Sequence, residues 1–170
     1  MPDKEPKWLL EIFQNWYILM ATAEKRIYWW ASTRDELRSM PDDVKDDIGH
    51  GLRRAQEGKK APSAKPLTGL KEFKGGKVME IVSRTDGDTY RGVYTIEFEE
   101  MVYMLDVFEK KSKEGRATPQ RDIDRIVGRI KAVRQWRDSP EGRAIVAQQL
   151  ADLRRRQAEL DEKEGKNEPK

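Results

Sequence analysis

Residues 78–108 read VMEIVSRTDGDTYRGVYTIEFEEMVYMLDVF, and their reading decides the fold. Val78–Ser83, Thr89–Phe98 and Val102–Phe108 are rich in β-branched and aromatic residues. TDGD, residues 85–88, separates the first two segments, and a short acidic turn separates the last two. Consecutive strands this close together predict an antiparallel meander. The third segment runs into FEKKSKEGRATP, residues 108–119, where one aromatic residue is followed by the cations Lys110, Lys111, Lys113 and Arg116. An apolar strand that ends in such a cluster delivers positive charge to one end of the sheet.

Helical signals flank the meander. Downstream, Thr118 and Pro119 form an N-cap and N1 pair, and Ile123, Ile126, Val127, Ile130 and Val133 make one stripe, which predicts a helix packed on the sheet. Ser139 and Pro140 begin another, with Val146, Leu150, Leu153 and Leu160 on one face, ending in the EKEGKNEPK tail, residues 162–170, expected to be disordered. Upstream, residues 58–77 are rich in Gly, Pro and Lys and read as loop. Before them Val44, Ile48, Leu52 and Ala55 share a helical face. Asp42, Asp43, Asp46 and Asp47 at the start of that helix and Arg53 and Arg54 near its end suit the helix dipole, and Gly58 closes it. Ser32 with Asp35 reads as a capping box of a shorter helix, and Ser39, Pro41 and Asp42 as a second start signal. IYWWA, residues 27–31, reads as a short strand, and Leu9, Ile12, Phe13, Trp16 and Met20 as one face of an N-terminal helix. The fold class expected is therefore α+β, a small antiparallel sheet packed against helices, with additional N- and C-terminal helices. The division expected is an N-terminal helical extension over 1–25, a central domain over 26–137, and a C-terminal helix and tail over 138–170.

Composition narrows the function classes. The net charge is only +3, yet residues 108–137 hold ten Lys and Arg against four Asp and Glu, a local excess of the kind that attracts phosphate. There is no cysteine, which rules out a disulfide framework, a thiolate nucleophile and a zinc knuckle. The single histidine, His50, rules out a His-pair nuclease; lying between two glycines in a helix, it reads as structural. WLLEIFQNWYILM, residues 8–20, is interrupted by Glu11, Gln14 and Asn15 and is shorter than the ~20 apolar residues that cross a bilayer. It also lacks the flanks of a signal peptide. The expected setting is cytoplasmic, without a membrane partner, metal or cofactor.

YRGVYTIEF and VYMLDVFEKKSKEGRATPQRDI, with MPDDVKDDIGHGL and AKPLTGL upstream, resemble the phage-derived HigB-like branch of the RelE/ParE toxin superfamily over about residues 26–135. The most specific part is the strand-end phrase F-x-K-K-S with a TP-initiated helix behind it. The resemblance implies the toxin of a type II toxin–antitoxin pair, an endoribonuclease that cleaves mRNA, usually on the ribosome. It also implies neutralisation by a helix-turn-helix antitoxin and assembly as a homodimer or a heterotetramer with that antitoxin. The ParE side of the superfamily implies a different activity, inhibition of DNA gyrase without catalysis; a degenerate antitoxin- or RNA-binding module is the third reading. RelE-type members place lysines on the strand before the YR strand. Here that strand reads VMEIVS, so those roles are not carried over, and Lys77 is the nearest candidate. Met20, followed by ATAEKRIYWW, looks like a typical family start.

RNA cleavage through the ribose 2′-OH requires an oriented strand, a cation for the charge that builds on phosphorus, and two proton transfers. Arg91 alternates with Tyr90 and Tyr94 along its strand, so it faces the other side of the sheet. Its planar fork suits a phosphate on a solvent-reached face, or alternatively a carboxylate at Asp86, Asp88 or a neighbouring strand. Lys110, Lys111 and Lys113 complete a positive bowl, with Arg116 and Arg121 at its edge. A lysine of lowered pKa, Lys110 or Lys113, is one candidate for proton transfer, and Glu80 or Glu109 is the other. Tyr103 and Phe108 are either base-stacking groups or core. Trp8, Trp16, Trp29 and Trp30 read as packing, and Trp136 as either. The apolar stripes of residues 8–20 and 145–160 are expected to pair with each other, a second copy or the antitoxin.

Overall fold

A computed structural model of the chain describes residues 22–110 and 118–166. The helix read over 8–20 lies outside the described residues, as do Met20, Trp8, Trp16, Lys111, Lys113 and Arg116. The elements in order are β1 (Arg26–Trp29), α1 (Thr33–Arg38), α2 (Asp42–Gln56), β2 (Ala64–Pro66), a 3-10 turn (Lys71–Phe73), β3 (Val78–Thr85), β4 (Asp88–Thr95), β5 (Met101–Lys110), α3 (Gln120–Asp138) and α4 (Pro140–Lys166). They build an α+β fold around one five-stranded sheet of order β1-β5-β4-β3-β2.

The meander forms as its sequence predicts, with β3, β4 and β5 antiparallel. Asp86 and Gly87 make its first turn, both at positive φ, the conformation a tight hairpin turn requires. Two additions complete the sheet. β1 joins β5 in parallel, Ile27 opposite Val102, which makes the sheet mixed. β2 pairs antiparallel with β3, Lys65 opposite Glu80, inside the segment expected to be loop. Three residues ending in a proline carry no strand periodicity, so only the free edge of β3 selects them.

Each face of the sheet has its own core. On one side α2 presents Val44, Ile48, Leu52 and Ala55, all buried, against Met79, Ile81, Tyr94 and Met104. Gly51 lets α2 approach, because a Cβ there would meet the Ile81 side chain at 2.5 Å. On the other side Ile126, Ile130 and Val133 of α3 pack against Val78, Val93, Leu105 and Phe108. Covered on both faces, β5 is buried from Met101 to Phe108, which accounts for its near-continuous apolar run.

β5 also carries the irregularity that matters most. Val93 pairs with Asp106 and Tyr94 with Met104, so Leu105 is an extra residue in the ladder. This bulge changes the phase of the strand: Val102 and Met104 face α2, Leu105 and Asp106 both turn toward α3, and Val107 and Phe108 resume the alternation. Asp106, fully buried, accepts from Arg125 Nε at 2.8 Å and Arg129 Nη1 at 2.8 Å. Arg125 reaches Asp122 as well, at 2.9 Å.

The aromatic residues near β1 form one cluster. Tyr28, Trp30, Tyr103 and Trp136 stand with ring centroids 4.8–6.5 Å apart. Trp136 is therefore packing, as Trp30 is. Glu100 anchors the cluster's edge: Tyr103 Oη donates to it at 2.7 Å and Arg137 grips it with Nε at 2.8 Å and Nη2 at 3.1 Å. Burial works against the charge of Glu100, but the hydrogen bonds from Arg137 and Tyr103 outweigh it and hold its carboxyl below the usual range. A depressed carboxyl stabilises the fold above its unfolded value of about 4.3 and loses that contribution as pH falls through the lower folded value. Denaturation midpoints measured from pH 6 to pH 3 should fall less steeply for Glu100→Gln than for the parent chain; parallel curves would remove Glu100 from the acid response.

Several helix ends differ from their sequence signals. Ser32 donates to Glu36 at 2.7 Å and makes no capping bond, so the capping box with Asp35 does not form. Thr118 does not cap α3 either; its hydroxyl accepts from Arg91 instead. Ser139 does cap α4, accepting from the Gly142 N–H at 3.1 Å. The helix continues through residues 162–166, within the stretch expected to be disordered, helped by i,i+4 bonds such as Lys166 to Glu162 at 2.9 Å. Its stripe at Val146, Leu150, Leu153 and Leu160 is half-buried. At the α3–α4 corner a Cβ on Gly142 would stand 1.9 Å from the Trp136 carbonyl oxygen. Gly142→Ala is expected to cost about 1–3 kcal/mol by forcing the corner apart. A melting temperature equal to the parent's would show that the corner yields freely.

Candidate functional site

Because residues opposite each other in a sheet share a face, the pairing registers alone collect one set of charged groups. Lys65 of β2 stands opposite Glu80 of β3; two residues further along β3, Val82 stands opposite Arg91 of β4, and Arg91 opposite Phe108 of β5. Lys110 of β5 follows one step out, opposite Thr89. All of these lie on the α3 side of the sheet. The bulge at Leu105 puts Lys110 there, since an unbroken alternation would turn it toward α2.

Arg91 and Glu80 are the floor of this set. Both are buried, and Arg91 Nη1 donates to Glu80 Oε2 and, at 3.1 Å, to Thr118 Oγ1 just before α3. The expectation of a solvent-reached Arg91 is corrected: Val93, Phe108 and the start of α3 cover it, and the carboxylate that meets it is the neighbouring-strand alternative. Lys65, more than half exposed, reaches the other Glu80 oxygen at 3.3 Å from the rim. Burial lowers the pKa of Lys110, and the positive charges of Arg91 and Lys65 add to that shift while Glu80 opposes it. Two cations thus pair with one carboxylate, and Lys110 stands near enough to feel it. Glu80, one of the carboxylates expected for proton transfer, has both its oxygens engaged by cations.

Other expected site residues lie elsewhere. Glu109 stands opposite Tyr90, on the α2 face, away from Arg91. Lys77 precedes β3 at the far end from the Arg91 row and is exposed. Arg121 is exposed, 3.7 Å from Asp122. Tyr103 is wholly buried in the aromatic cluster and Phe108 lies beneath the Arg125 guanidinium, 5.5 Å from ring centroid to Cζ, so both are core and neither is presented to a base. His50 is exposed on α2. Sequence reasoning missed Lys65 and Thr118. Lys65 left no periodic signal, and Thr118 carried a capping signal that its tertiary partner overrode. Among the described residues, no group of His, Asp and Glu side chains is arranged to hold a metal ion, and no helix is long and apolar enough to cross a membrane.

A five-stranded mixed sheet between helices, with arginine and lysine gathered at one end of a three-stranded meander, defines an α+β protein consistent with a RelE-like fold. Residues 35–131 match the family described as Phage derived protein Gp49-like (DUF891). The match spans more than half of the chain, and the chain belongs to that family, a phage-derived toxin-like family associated with toxin–antitoxin systems and related to RelE-type toxins. No curated protein and no solved structure matches the chain.

Proposed function

We propose that this chain is the toxin of a type II toxin–antitoxin pair and an endoribonuclease that cleaves mRNA, acting on the ribosome in the cytoplasm. The observation that carries the reading is the pairing of Lys65 and Arg91 with the single carboxylate of Glu80, with Lys110 on the same face of the sheet. A carboxylate held by a guanidinium and an ammonium has the charge and the hydrogen-bond demand of a phosphate oxygen pair, so a phosphodiester competes with Glu80 for the same donors. In the reaction the 2′-OH attacks the adjacent phosphorus, Arg91 stabilises the charge that builds on the non-bridging oxygens, and Lys65 and Lys110 hold the strand at the rim. Lys110, its pKa lowered, is the group suited to give a proton to the 5′-oxygen as the P–O5′ bond breaks, while the 2′-OH proton passes to water. Lys113 is its alternative, and Lys111, Arg116 and Arg121 extend the phosphate-attracting surface along the chain. The family's association with toxin–antitoxin systems supports an antitoxin as the partner that silences the site.

Inducible expression with pulse labelling tests the reading. Protein synthesis is expected to stop first, and mapping of transcript ends should reveal new 5′-hydroxyl ends within coding sequence. Arrest of replication with intact messages would overturn it in favour of gyrase inhibition. The rim lysines give a second test. Lys65→Gln with Lys110→Gln should flatten the salt dependence of RNA or ribosome binding by about 0.7 in log–log slope for each phosphate that is no longer neutralised. An unchanged slope in a folded variant would take both lysines out of the RNA surface.

A further inference from the structure

A cavity of about 420 Å³ opens on the sheet face opposite Arg91, between the C-terminal end of α2 and the strands β2, β3 and β4. Its walls include Met79, Ile96 and Tyr94, and its mouth carries Lys25, Lys59 and Lys60. Gly58 and Gly76 form parts of its border at positive φ, where a side chain would be strained. The volume is that of a small-ligand site, not of a packing gap.

Two features restrict what fits. The first is Tyr94. Tyr94 is buried and lines the cavity. Burial alone pushes its pKa up to about 12, so the hydroxyl keeps its proton and is a donor throughout the physiological range. An acyl chain or a phenyl ring in this place would offer that donor no acceptor, at a cost in affinity. The buried end of the ligand must therefore be largely apolar and carry an acceptor. The second feature is the mouth. Lys60 is exposed there; Lys59 lies 3.5 Å from Glu57, and Lys25 donates to the Phe98 carbonyl at 3.3 Å. Glu57 beside Lys59, and Glu99 and Glu100 near Lys25, offset part of this charge, and the exposed Lys60 is left to favour an anionic outer end.

We propose that this cavity is a nucleotide site, with a heterocyclic base seated on Met79 and Ile96, its acceptor edge on the Tyr94 hydroxyl, and its phosphate at Lys25, Lys59 and Lys60. The site is independent of the Arg91 chemistry, which lies across the sheet. It takes either a free nucleoside monophosphate or a nucleotide of a single RNA strand, and the two share this chemistry.

The test is titration of the full chain with nucleoside 5′-monophosphates, with the matching uncharged nucleosides, and with a short single-stranded RNA, followed by calorimetry. Monophosphates should bind and nucleosides should bind at least tenfold more weakly. Tyr94→Phe removes only the hydroxyl and should weaken binding about fivefold, and Lys59→Gln with Lys60→Gln should weaken it about tenfold at low salt. Loss of RNA affinity in the same variants assigns the site to a strand; loss for the monophosphate alone assigns it to a free nucleotide. Equal affinities in parent and variants, no monophosphate binding at all, or binding of an acidic peptide in its place would each overturn the proposal. Cleavage activity is not a readout here, so failure of the site and failure of the toxin reading are separate results.

Discussion

Arg91→Ala is expected to lower RNA cleavage on the order of 10²-fold or more, the loss found when a single preorganised charge-stabilising donor is removed. It should also destabilise the fold by about 3–5 kcal/mol, because Glu80 would remain buried with only the exposed Lys65 paired to it and Lys110 nearby. The two effects separate in a double variant. Arg91→Ala with Glu80→Ala removes both charges and should recover much of the stability, since replacing a whole buried pair is far less costly than breaking it, while cleavage stays lost. Arg91→Lys should rescue activity only in part, because an ammonium cannot reproduce the planar fork. The measurements are transcript cleavage and urea denaturation on the same preparations. Full activity in the folded double variant would make the Arg91–Glu80 pair a structural bridge and would remove the centre of the proposed mechanism.

Asp106→Ala is the second large expected effect, and it concerns the fold. Asp106 accepts from both Arg125 and Arg129 in the buried seam between β5 and α3, and Arg125 has a second carboxylate close by, Asp122 at 2.9 Å. Arg129 would keep the Leu105 carbonyl at 2.8 Å and a distant Glu36 at 3.9 Å. The loss should therefore fall mainly on Arg129 and amount to about 3–5 kcal/mol, a drop of about 10 °C in melting temperature for a chain of this size. Adding Arg129→Met should restore part of it by removing the uncompensated guanidinium. A melting temperature within about 2 °C of the parent in Asp106→Ala would show that the seam is held by Ile126, Ile130 and Val133 alone.

Both predictions rest on features that the sequence expressed unequally. The strands β3, β4 and β5 were legible because their β-prone runs are broken by turn residues at short spacing, and local signals of that kind do not depend on distant partners. The same holds for α2 and α3, whose apolar residues recur with helical period, and for the closing role of Gly58, seen at φ +71°. Arg91 was legible as a charge interrupting an apolar strand. Its partner was not, since a carboxylate eleven positions away becomes a neighbour only when β3 and β4 pair.

The sequence by itself determined the meander, the helices on either side of it and the cationic end of β5, because periodicity and turn chemistry are read within a few residues. Tertiary structure alone decided the rest. β2 exists because β3 had an unpaired edge, Thr118 left its capping role because Arg91 offered a donor, and Lys110 faces Arg91 because a bulge at Leu105 changed the phase of β5. Side chains alternate along a strand with period two, so one extra residue sends every later side chain to the opposite face. That single step is set by the pairing of β4 with β5 and by the arginines of α3 that receive Asp106, and no local pattern in YMLDVFEK records it.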